Sequence, residues 1–204
     1  MKIICVGRNY VEHAKELKNE IPTEPIIFLK SPNALLRAND ALFYPDFTQD
    51  LHYEGELVVK INRNGKKIQE KFAHKYYSEI SLGFDFTARD LQAQLKSKGL
   101  PWELAKSFDG AAAVGDFFDK SAIVDKEGNF TFDIYKNKEL VQQGNTSLML
   151  FSIDKIISFV SQYFTLRQGD LIYTGTPAGV GSLKIGDKLK GFFNEQLVVE
   201  TVVK

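Results

Sequence analysis

The sequence predicts a strand-rich α+β fold, and three observations lead to this prediction. Runs of β-branched and aromatic residues bounded by turn residues recur along the 204 residues, whereas helical patterns are few. Strands and helices do not alternate regularly, which argues against a doubly wound parallel sheet. Composition hardly shifts along the chain, and no linker or repeat interrupts it. We therefore expect a single domain over residues 1–204.

Six runs have the composition and bounds of strands. They lie at residues 3–6, 26–29, 56–61, 130–135, 171–174 and 197–203. Asn64-Gly65 predicts a two-residue hairpin, because a type I′ turn needs positive φ at both central positions. Residues 191–194 are typical of a turn or a strand end.

Three segments have helical periodicity or capping patterns. They lie at residues 11–17, 87–99 and 152–164. Ser152 is a plausible N-cap of the last helix, which carries its apolar residues on one stripe. Thr87 and Asp90 resemble a capping box at the start of the second, and Gly99 can end it.

Charge and cysteine content exclude several classes of protein. The 26 Lys and Arg balance the 26 Asp and Glu, so there is no basic stripe for a nucleic-acid partner. The one cysteine, Cys5, excludes an internal disulfide framework and a cysteine-rich zinc site. No stretch approaches the ~20 apolar residues of a membrane helix, and no signal-peptide pattern is present. We expect a cytoplasmic protein with no membrane partner.

Three carboxylates are candidate ligands of a hard cation. Glu54 and Glu56 are two apart, so in a strand they point to one face, where two like charges need a cation between them. Asp85 lies between two phenylalanines, an apolar setting for a carboxylate. Oxygen ligands favour Mg²⁺, Mn²⁺ or Ca²⁺ over zinc. The alternatives are a solvated strand edge for the glutamates and a helix-start residue for Asp85.

Three further segments could carry chemistry. In a helix starting near Tyr10, His13 and Glu16 are neighbours, and such a carboxylate can orient an imidazole as a general base. A surface pair is the simpler alternative. Lys106, near the one Trp, could meet a developing anion or extend to water. Residues 174–181 form a glycine-rich loop whose amides could hold a carboxylate.

The order of these motifs resembles the fumarylacetoacetate hydrolase family, and most closely its short acylpyruvase branch, whose members also decarboxylate oxaloacetate. The resemblance extends over nearly the whole chain. Its motifs are Cys5-Val-Gly-Arg-Asn-Tyr-x-x-His-x-x-Glu16, Glu54-x-Glu-Leu57, Asp85-x-Thr-Ala-Arg-Asp-x-Gln92, Gly99-Leu-Pro-Trp-x-Leu-Ala-Lys-Ser-Phe108 and Gly175-Thr-Pro-x-Gly-Val-Gly181.

The resemblance implies the family's mixed β-sandwich roll with few short helices, assembled as a homodimer. It implies metal ligands, a water-activating dyad, an anion-stabilising lysine and substrate contacts. These are Glu54, Glu56 and Asp85 for Mg²⁺ or Mn²⁺; His13 and Glu16 for the dyad; Lys106 for the anion; and Arg8, Gln92 and Thr176 for substrate.

The implied reaction is hydrolysis of the C–C bond of an acylpyruvate, a 2,4-diketo acid such as acetylpyruvate or fumarylpyruvate. Water deprotonated by His13 attacks the 4-keto carbon, and a pyruvate enolate leaves, stabilised in part by Lys106. Oxaloacetate reaches the same enolate by losing CO₂. Two alternatives are an isomerase or hydratase of a related 2-keto acid and a non-catalytic metabolite-binding member of the family.

Overall fold

Strands in three sheets dominate the computed structural model, which describes residues 1–17, 20–37 and 40–204. The strand-rich α+β prediction is confirmed: helices are few and short, and the main sheet is curled. The six predicted strands all form, with ends within one residue of the prediction.

The main sheet has eight strands and mixed pairing. Two pairs of neighbouring strands are parallel, Ile3–Gly7 with Leu171–Tyr173 and Leu35–Arg37 with Ala112–Val114, and the remaining neighbours are antiparallel. In spatial order the strands are β2 (Ile26–Lys30), β1 (Ile3–Gly7), β12 (Leu171–Tyr173), β5 (Gly55–Ile61), β6 (Tyr77–Asp85), β8 (Ala112–Val114) and β3 (Leu35–Arg37), with β9 (Phe118–Asp119) also pairing with β6.

Both faces of the main sheet are covered by apolar side chains. In β1, Ile4 and Val6 join the large core, whereas Ile3 and Cys5 pack into a second core on the opposite face. Successive side chains of a strand point to opposite faces, so burial on both explains why this segment is continuously apolar.

Two smaller sheets complete the fold. A four-stranded antiparallel sheet packs on β6, and its Ile134 and Phe193 join Leu82 in the large core. Its order is β11 (Glu139–Asn145), β10 (Thr131–Lys136), β14 (Lys188–Phe193) and β15 (Gln196–Val202). The third sheet has the order β13 (Gly181–Ser182), β4 (Leu51–Tyr53) and β7 (Thr87–Ala88).

The helices are short, and among the described residues none is long and apolar enough to cross a bilayer. The predicted cap of the last helix is confirmed, because the Ser152 hydroxyl accepts from the Lys155 amide at 3.2 Å. The helices are α1 (Val11–Glu16), α2 (Glu70–Ala73), α3 (Arg89–Ser97), α4 (Glu103–Lys106), α5 (Lys120–Ile123) and α6 (Ile153–Tyr163), with 3₁₀ turns at Pro32–Ala34 and Thr146–Leu148.

The predicted capping box at the start of α3 is wrong. Thr87 lies in β7, and the helix begins after Ala88, whose side chain makes no cap. Asp90 instead accepts from the Thr48 hydroxyl at 2.5 Å and the Gln49 amide at 2.9 Å. The Asp90 carboxylate therefore binds a distant segment of the chain instead of completing the predicted capping box.

The predicted hairpin at Asn64-Gly65 is also wrong. Strand β5 ends at Ile61, its partner β6 begins at Tyr77, and α2 lies between them. Gly65 pairs with Leu166 in an isolated bridge. Strand β6 was not predicted because its sequence mixes polar, glycine and apolar residues, yet it lies at the centre of the main sheet. The interpretation of residues 191–194 as a turn or strand end is confirmed, because Gly191–Phe193 end β14 and Asn194 begins the turn to β15.

Candidate functional site

The pairing of β5 with β6 brings the three candidate carboxylates together. Gly55 lies opposite Phe84, and the Asp85 amide donates to the Glu54 carbonyl at 2.8 Å. Each carboxylate contributes one oxygen to a group whose atoms all lie within 4.8 Å of one another, and all three residues are buried. The solvated-edge and helix-start alternatives are therefore excluded for Glu54, Glu56 and Asp85.

Three cations neutralise most of this buried negative charge. The Lys106 ammonium lies 2.8 Å from Glu54 Oε2 and 2.9 Å from Asp85 Oδ2. The Lys30 ammonium lies 2.7 Å from Asp85 Oδ1, and Arg89 Nη2 pairs with Glu54 Oε1. Isolated buried charges are very costly, so the carboxylates and the cations depend on each other.

The pKa values of the two glutamates shift in opposite directions. Burial raises the pKa of Glu54, but Lys106, Arg89 and His13 outweigh it, and the net pKa is well below the ordinary value. Burial, and then the charges of Asp85 and Glu54, raise the pKa of Glu56 well above its ordinary value. Burial lowers the pKa of Lys106, yet Asp85 and Glu54 give a net rise. Glu56 is thus the carboxylate that most lacks a positive partner.

The donor set fits a hard divalent cation. An octahedral site with ligands at about 2.1 Å places neighbouring oxygens about 3 Å and opposite oxygens about 4 Å apart. The spacing within 4.8 Å needs only small side-chain adjustments to reach this geometry. Asp85 Oδ1 is buried without a well-directed hydrogen bond, although Lys30 is beside it. Three carboxylates and no sulfur or imidazole ligand match Mg²⁺ or Mn²⁺.

The His13–Glu16 pair lies on α1; His13 lines the same cavity as the carboxylates, and the Glu16 side chain is 32% exposed. His13 Nδ1 is 3.2 Å from Glu16 Oε2, and the Gly179 amide donates to Glu16 Oε1 at 3.1 Å. The His13 side chain is 5% exposed, so the surface-pair alternative does not describe it. Glu16 therefore fixes the orientation of a buried imidazole.

Asn9, two residues before α1, anchors this helix to the body of the protein. The Asn9 side chain donates to the carbonyls of Phe151 and Thr174 at 3.0 and 2.8 Å, and accepts from the Phe151 amide at 2.8 Å. Arg8, one residue earlier, has φ of 59°. This conformation costs a non-glycine residue about 1–2 kcal/mol. The strained backbone leads into the cavity that Arg8 lines.

The glycine-rich loop binds carboxylates of the protein itself. The Gly175 amide donates to Glu56 Oε2 at 2.7 Å, and the Gly179 amide donates to Glu16. Both glycines have positive φ, and a Cβ on Gly179 would lie 2.0 Å from the Val141 carbonyl oxygen. The loop thus connects one candidate metal ligand with the candidate dyad.

The three predicted substrate contacts also line this cavity. Gln92 Oε1 accepts from Arg89 Nη1 at 2.8 Å, which leaves its amide hydrogens available. The Thr176 hydroxyl donates to the Gly55 carbonyl at 2.9 Å and accepts from Gln142. The cavity measures about 40 Å³, and the candidate metal ligands line it together with these three residues.

Sequence reasoning missed two cations of this site. Lys30 is fully buried, and besides pairing with Asp85 it donates to the carbonyls of Lys106 and Ala111. A lysine at the end of an apolar strand was the available indication. Arg89 pairs with Glu54, whereas the sequence alone leaves open whether it is a surface residue. Its position four residues after Asp85 is compatible both with a surface arginine and with an arginine that pairs with a buried carboxylate.

Related proteins match this chain over most of its length. Residues 2–202 match the family described as fumarylacetoacetate (FAA) hydrolase C-terminal. The mitochondrial oxaloacetate tautomerase FAHD1 of Bos taurus is 43% identical over 188 residues, covering 92% of this chain and 85% of that protein. The mitochondrial oxaloacetate decarboxylase of Dictyostelium discoideum is 41% identical over 190 residues, covering 93% and 87%.

A solved structure extends the comparison to the whole chain. The fumarylpyruvate hydrolase of Pseudomonas aeruginosa, in complex with Mn²⁺ and pyruvate, superposes with a TM-score of 0.92 at 32% identity, covering 100% of this chain and 89% of that one. Family match, sequence identity and fold agree: the chain belongs to the fumarylacetoacetate hydrolase family.

Proposed function

We propose that this protein hydrolyses the C–C bond of acylpyruvates, giving pyruvate and a carboxylic acid, and that it also decarboxylates oxaloacetate. The observation that carries the proposal is that one cavity is lined by three clustered carboxylates, Lys106 and the buried imidazole of His13, which Glu16 orients. The family relationship supports an enzyme acting on a small keto acid. Acetylpyruvate and fumarylpyruvate represent the substrates we propose.

His13 acts as the general base. With Nδ1–H donating to Glu16, Nε2 is unprotonated and accepts a proton from water. The water oxygen bonds to the 4-keto carbon, the bond between carbons 3 and 4 breaks, and its electron pair leaves as a pyruvate enolate. Protonation at carbon 3 then gives pyruvate. Glu16 keeps the imidazole in the required orientation throughout.

Lys106 and Gln92 bind the developing anion and the substrate. An ammonium has three N–H donors, and Lys106 uses two of them on Glu54 and Asp85, so one remains for the enolate oxygen. Gln92 offers its amide hydrogens to a carbonyl or carboxylate oxygen. Arg8 and Thr176 are placed to contact the rest of the substrate.

Glu54, Glu56 and Asp85 are the ligands that we propose for Mg²⁺ or Mn²⁺. A cation bound there supplies Lewis-acid polarisation of the 2-keto oxygen of a chelating keto acid. The P. aeruginosa relative carries Mn²⁺ in its structure, which supports a cation of this type. Arg89 and Gly175 hold two of the ligand carboxylates in place for it.

Oxaloacetate needs less from the site than an acylpyruvate does. Loss of CO₂ from carbon 4 leaves the same pyruvate enolate without any attack by water, so Lys106 is required and His13 is not. The D. discoideum relative, named an oxaloacetate decarboxylase, supports this second activity.

An isomerase or hydratase of a related 2-keto acid is the second candidate. The B. taurus relative is named an oxaloacetate tautomerase, and tautomerisation moves a proton without breaking a C–C bond. The same base and anion site support such a reaction. A non-catalytic metabolite-binding protein is the remaining candidate, and the complete set of chemical residues disfavours it.

Product analysis separates these functions. The purified protein is incubated with acetylpyruvate, fumarylpyruvate and oxaloacetate, with and without Mg²⁺ or Mn²⁺, and the products are identified by NMR. We expect metal-dependent release of pyruvate. Rearranged or hydrated keto acids without C–C cleavage favour the isomerase or hydratase. No metal-dependent turnover of any substrate, combined with keto-acid binding, identifies the non-catalytic protein.

Three further properties belong to the same proposal. We propose a homodimer, tested by light scattering at known concentration, and a single catalytic domain, tested by cooperative unfolding. We also propose a cytoplasmic location, tested by cell fractionation. The relatives from B. taurus and D. discoideum are named as mitochondrial proteins.

A further inference from the structure

Two buried polar atoms beside the carboxylate cluster have complementary chemistry and no partner. In the part of the chain that the structure describes, His52 Nδ1 and Arg89 Nε are both buried without a hydrogen bond. Arg89 Nε always carries a hydrogen, so it is a donor. Burying an unpaired polar group costs free energy, so two such atoms close together require an explanation.

The contact with Asp50 makes the free nitrogen of His52 an acceptor. His52 Nε2 lies 2.9 Å from Asp50 Oδ1, and because a carboxylate only accepts, Nε2 carries the hydrogen. Burial, and then the charge of Arg89, lower the pKa of His52 and outweigh the opposing effect of Asp50. The imidazole is therefore neutral near pH 7, and Nδ1 has a lone pair available.

The pairing of β4 with β7 places the two side chains beside each other. His52 pairs with Thr87. Two positions further along this ladder, the Arg89 amide donates to the Asp50 carbonyl at 2.8 Å. His52 and Arg89 are thus diagonal neighbours on one face of the ladder, about 7–8 Å apart at the backbone, a spacing that long side chains can bridge.

The guanidinium of Arg89 connects two groups of the candidate site. Nη2 pairs with Glu54 Oε1, and Nη1 donates to Gln92 Oε1 at 2.8 Å. Glu54 is a proposed metal ligand, and Gln92 is a proposed substrate contact. Because the guanidinium is planar and rigid, a partner for Nε fixes the direction of both of these contacts.

We propose that His52 is a positioning residue whose Nδ1 accepts a hydrogen bond from Arg89 Nε, directly or through one water molecule, and so fixes the guanidinium. The contacts then run from the half-exposed Asp50 through His52 and Arg89 to Glu54. A carboxylate that is already held in place loses less side-chain freedom when it binds a cation. This inference rests on the proposed function, since it concerns the cation site within it.

Two substitutions of His52 separate the roles of its two nitrogens. In His52→Asn the amide oxygen takes approximately the place of Nδ1, so an acceptor for Arg89 remains while the contact with Asp50 is lost. In His52→Gln the amide nitrogen still reaches Asp50, but the acceptor at Nδ1 is removed.

Calorimetric titration with Mn²⁺ compares the two variants with the wild-type protein. We expect His52→Gln to weaken Mn²⁺ binding by roughly 10-fold, at the lower end of the effect of outer-shell partners, and His52→Asn by less than about threefold. His74→Gln is the matched control, because His74 is exposed and lies outside the cavity, and it should leave the affinity unchanged.

A second measurement needs neither cation nor substrate. The chain has three histidines, so ¹⁵N NMR can assign the ring nitrogens of His52 by comparison with the His52→Gln spectrum. We expect a hydrogen on Nε2 and none on Nδ1 near neutral pH. A hydrogen on Nδ1 overturns the inference, and this result decides the matter even if a variant does not fold.

The remaining outcomes overturn distinct statements. Equal Mn²⁺ affinities in the two variants, or a weaker affinity in His52→Asn than in His52→Gln, mean that the acceptor at Nδ1 does not position Arg89. The inference is then wrong while the proposed function stands. If the wild-type protein binds no Mn²⁺, the proposed cation site and this inference both fall.

Discussion

The two halves of the candidate site are held in very different ways. The carboxylates lie on β5 and β6 and the segment just before β5, in the middle of the main sheet, and are tied to Lys30, Lys106 and Arg89. The dyad lies on α1, a six-residue helix without a side-chain cap. Its link to the glycine-rich loop is one hydrogen bond from Gly179 to Glu16.

Because the two halves are held differently, we expect substitutions in the first half to affect the stability of the protein and substitutions in the second half to affect mainly catalysis. A change among the buried charges disturbs the folded state and the cation site together, because each charge is compensated by another. A change on α1 removes a proton acceptor but little packing, since a helix this short contributes little stability of its own. The comparison therefore predicts which variants unfold and which fold normally without activity.

Removing Lys30 is expected to have the largest effect. Lys30→Met leaves Asp85 buried with one cation fewer and removes one donor from each of three carbonyls. Breaking a buried ion pair in this way costs about 3–5 kcal/mol. The free energy of unfolding from urea titrations measures it. Lys190→Met is the control, because its pair with Glu200 is about half-exposed and is worth about 1 kcal/mol or less. Equal losses in the two variants would contradict the comparison.

Removing the general base of the dyad should affect acylpyruvate hydrolysis and oxaloacetate decarboxylation differently. His13→Ala is expected to lower kcat for acylpyruvate hydrolysis by roughly 10²- to 10⁴-fold, because a general base is lost. Oxaloacetate decarboxylation should persist, since it needs no water activation. Glu12→Ala, on the exposed side of the same helix, is the control for damage to α1. A parallel loss of both activities would show that His13 does not act on water.

Cation binding should stabilise the half of the site that contains the carboxylate cluster, and the affinity for the cation should depend on pH. Mn²⁺ at 100 times its Kd should raise the free energy of unfolding by about 2.7 kcal/mol. The cation binds the ionised form of Glu56, whose pKa is raised by burial and by Asp85 and Glu54. Protonation therefore competes, and affinity should fall as pH decreases, beginning above the usual carboxyl range near pH 4. Calorimetric titration with Mn²⁺ measures this. A Mn²⁺ affinity that stays unchanged between about pH 8 and about pH 5 would contradict this prediction.

A substitution in the glycine-rich loop, which connects the two halves of the site, is expected to have the smallest effect on stability. Gly179→Ala must place a methyl group against the Val141 carbonyl and disturb the amide that holds Glu16. Gly186→Ala has nearly the same φ but open space around its Cβ, so it measures the backbone strain alone. We expect Gly179→Ala to cost about 1–3 kcal/mol more than this control, as overpacking does. Thermal and urea unfolding compare the pair, and equal costs would show that the loop yields without penalty.

Local pattern was sufficient where side-chain periodicity and composition carried the information. The six strands, the Ser152 cap and the clustering of Glu54 with Glu56 followed from sequence. The errors arose where a distant partner replaced a local one. Asp90 went to Thr48 instead of a helix cap, and Gly65 paired with Leu166 instead of closing a hairpin.

The sequence by itself determined the family motifs and which residues could carry chemistry, because those depend on residue type and short spacing. Only the tertiary structure decided that Lys30 faces Asp85. Their strands β2 and β6 are four spacings apart, roughly 19 Å in a flat sheet, beyond the reach of a lysine. The curl of the main sheet brings the two side chains together. Curvature and register arise from the packing of all the strands, and no local pattern specifies them.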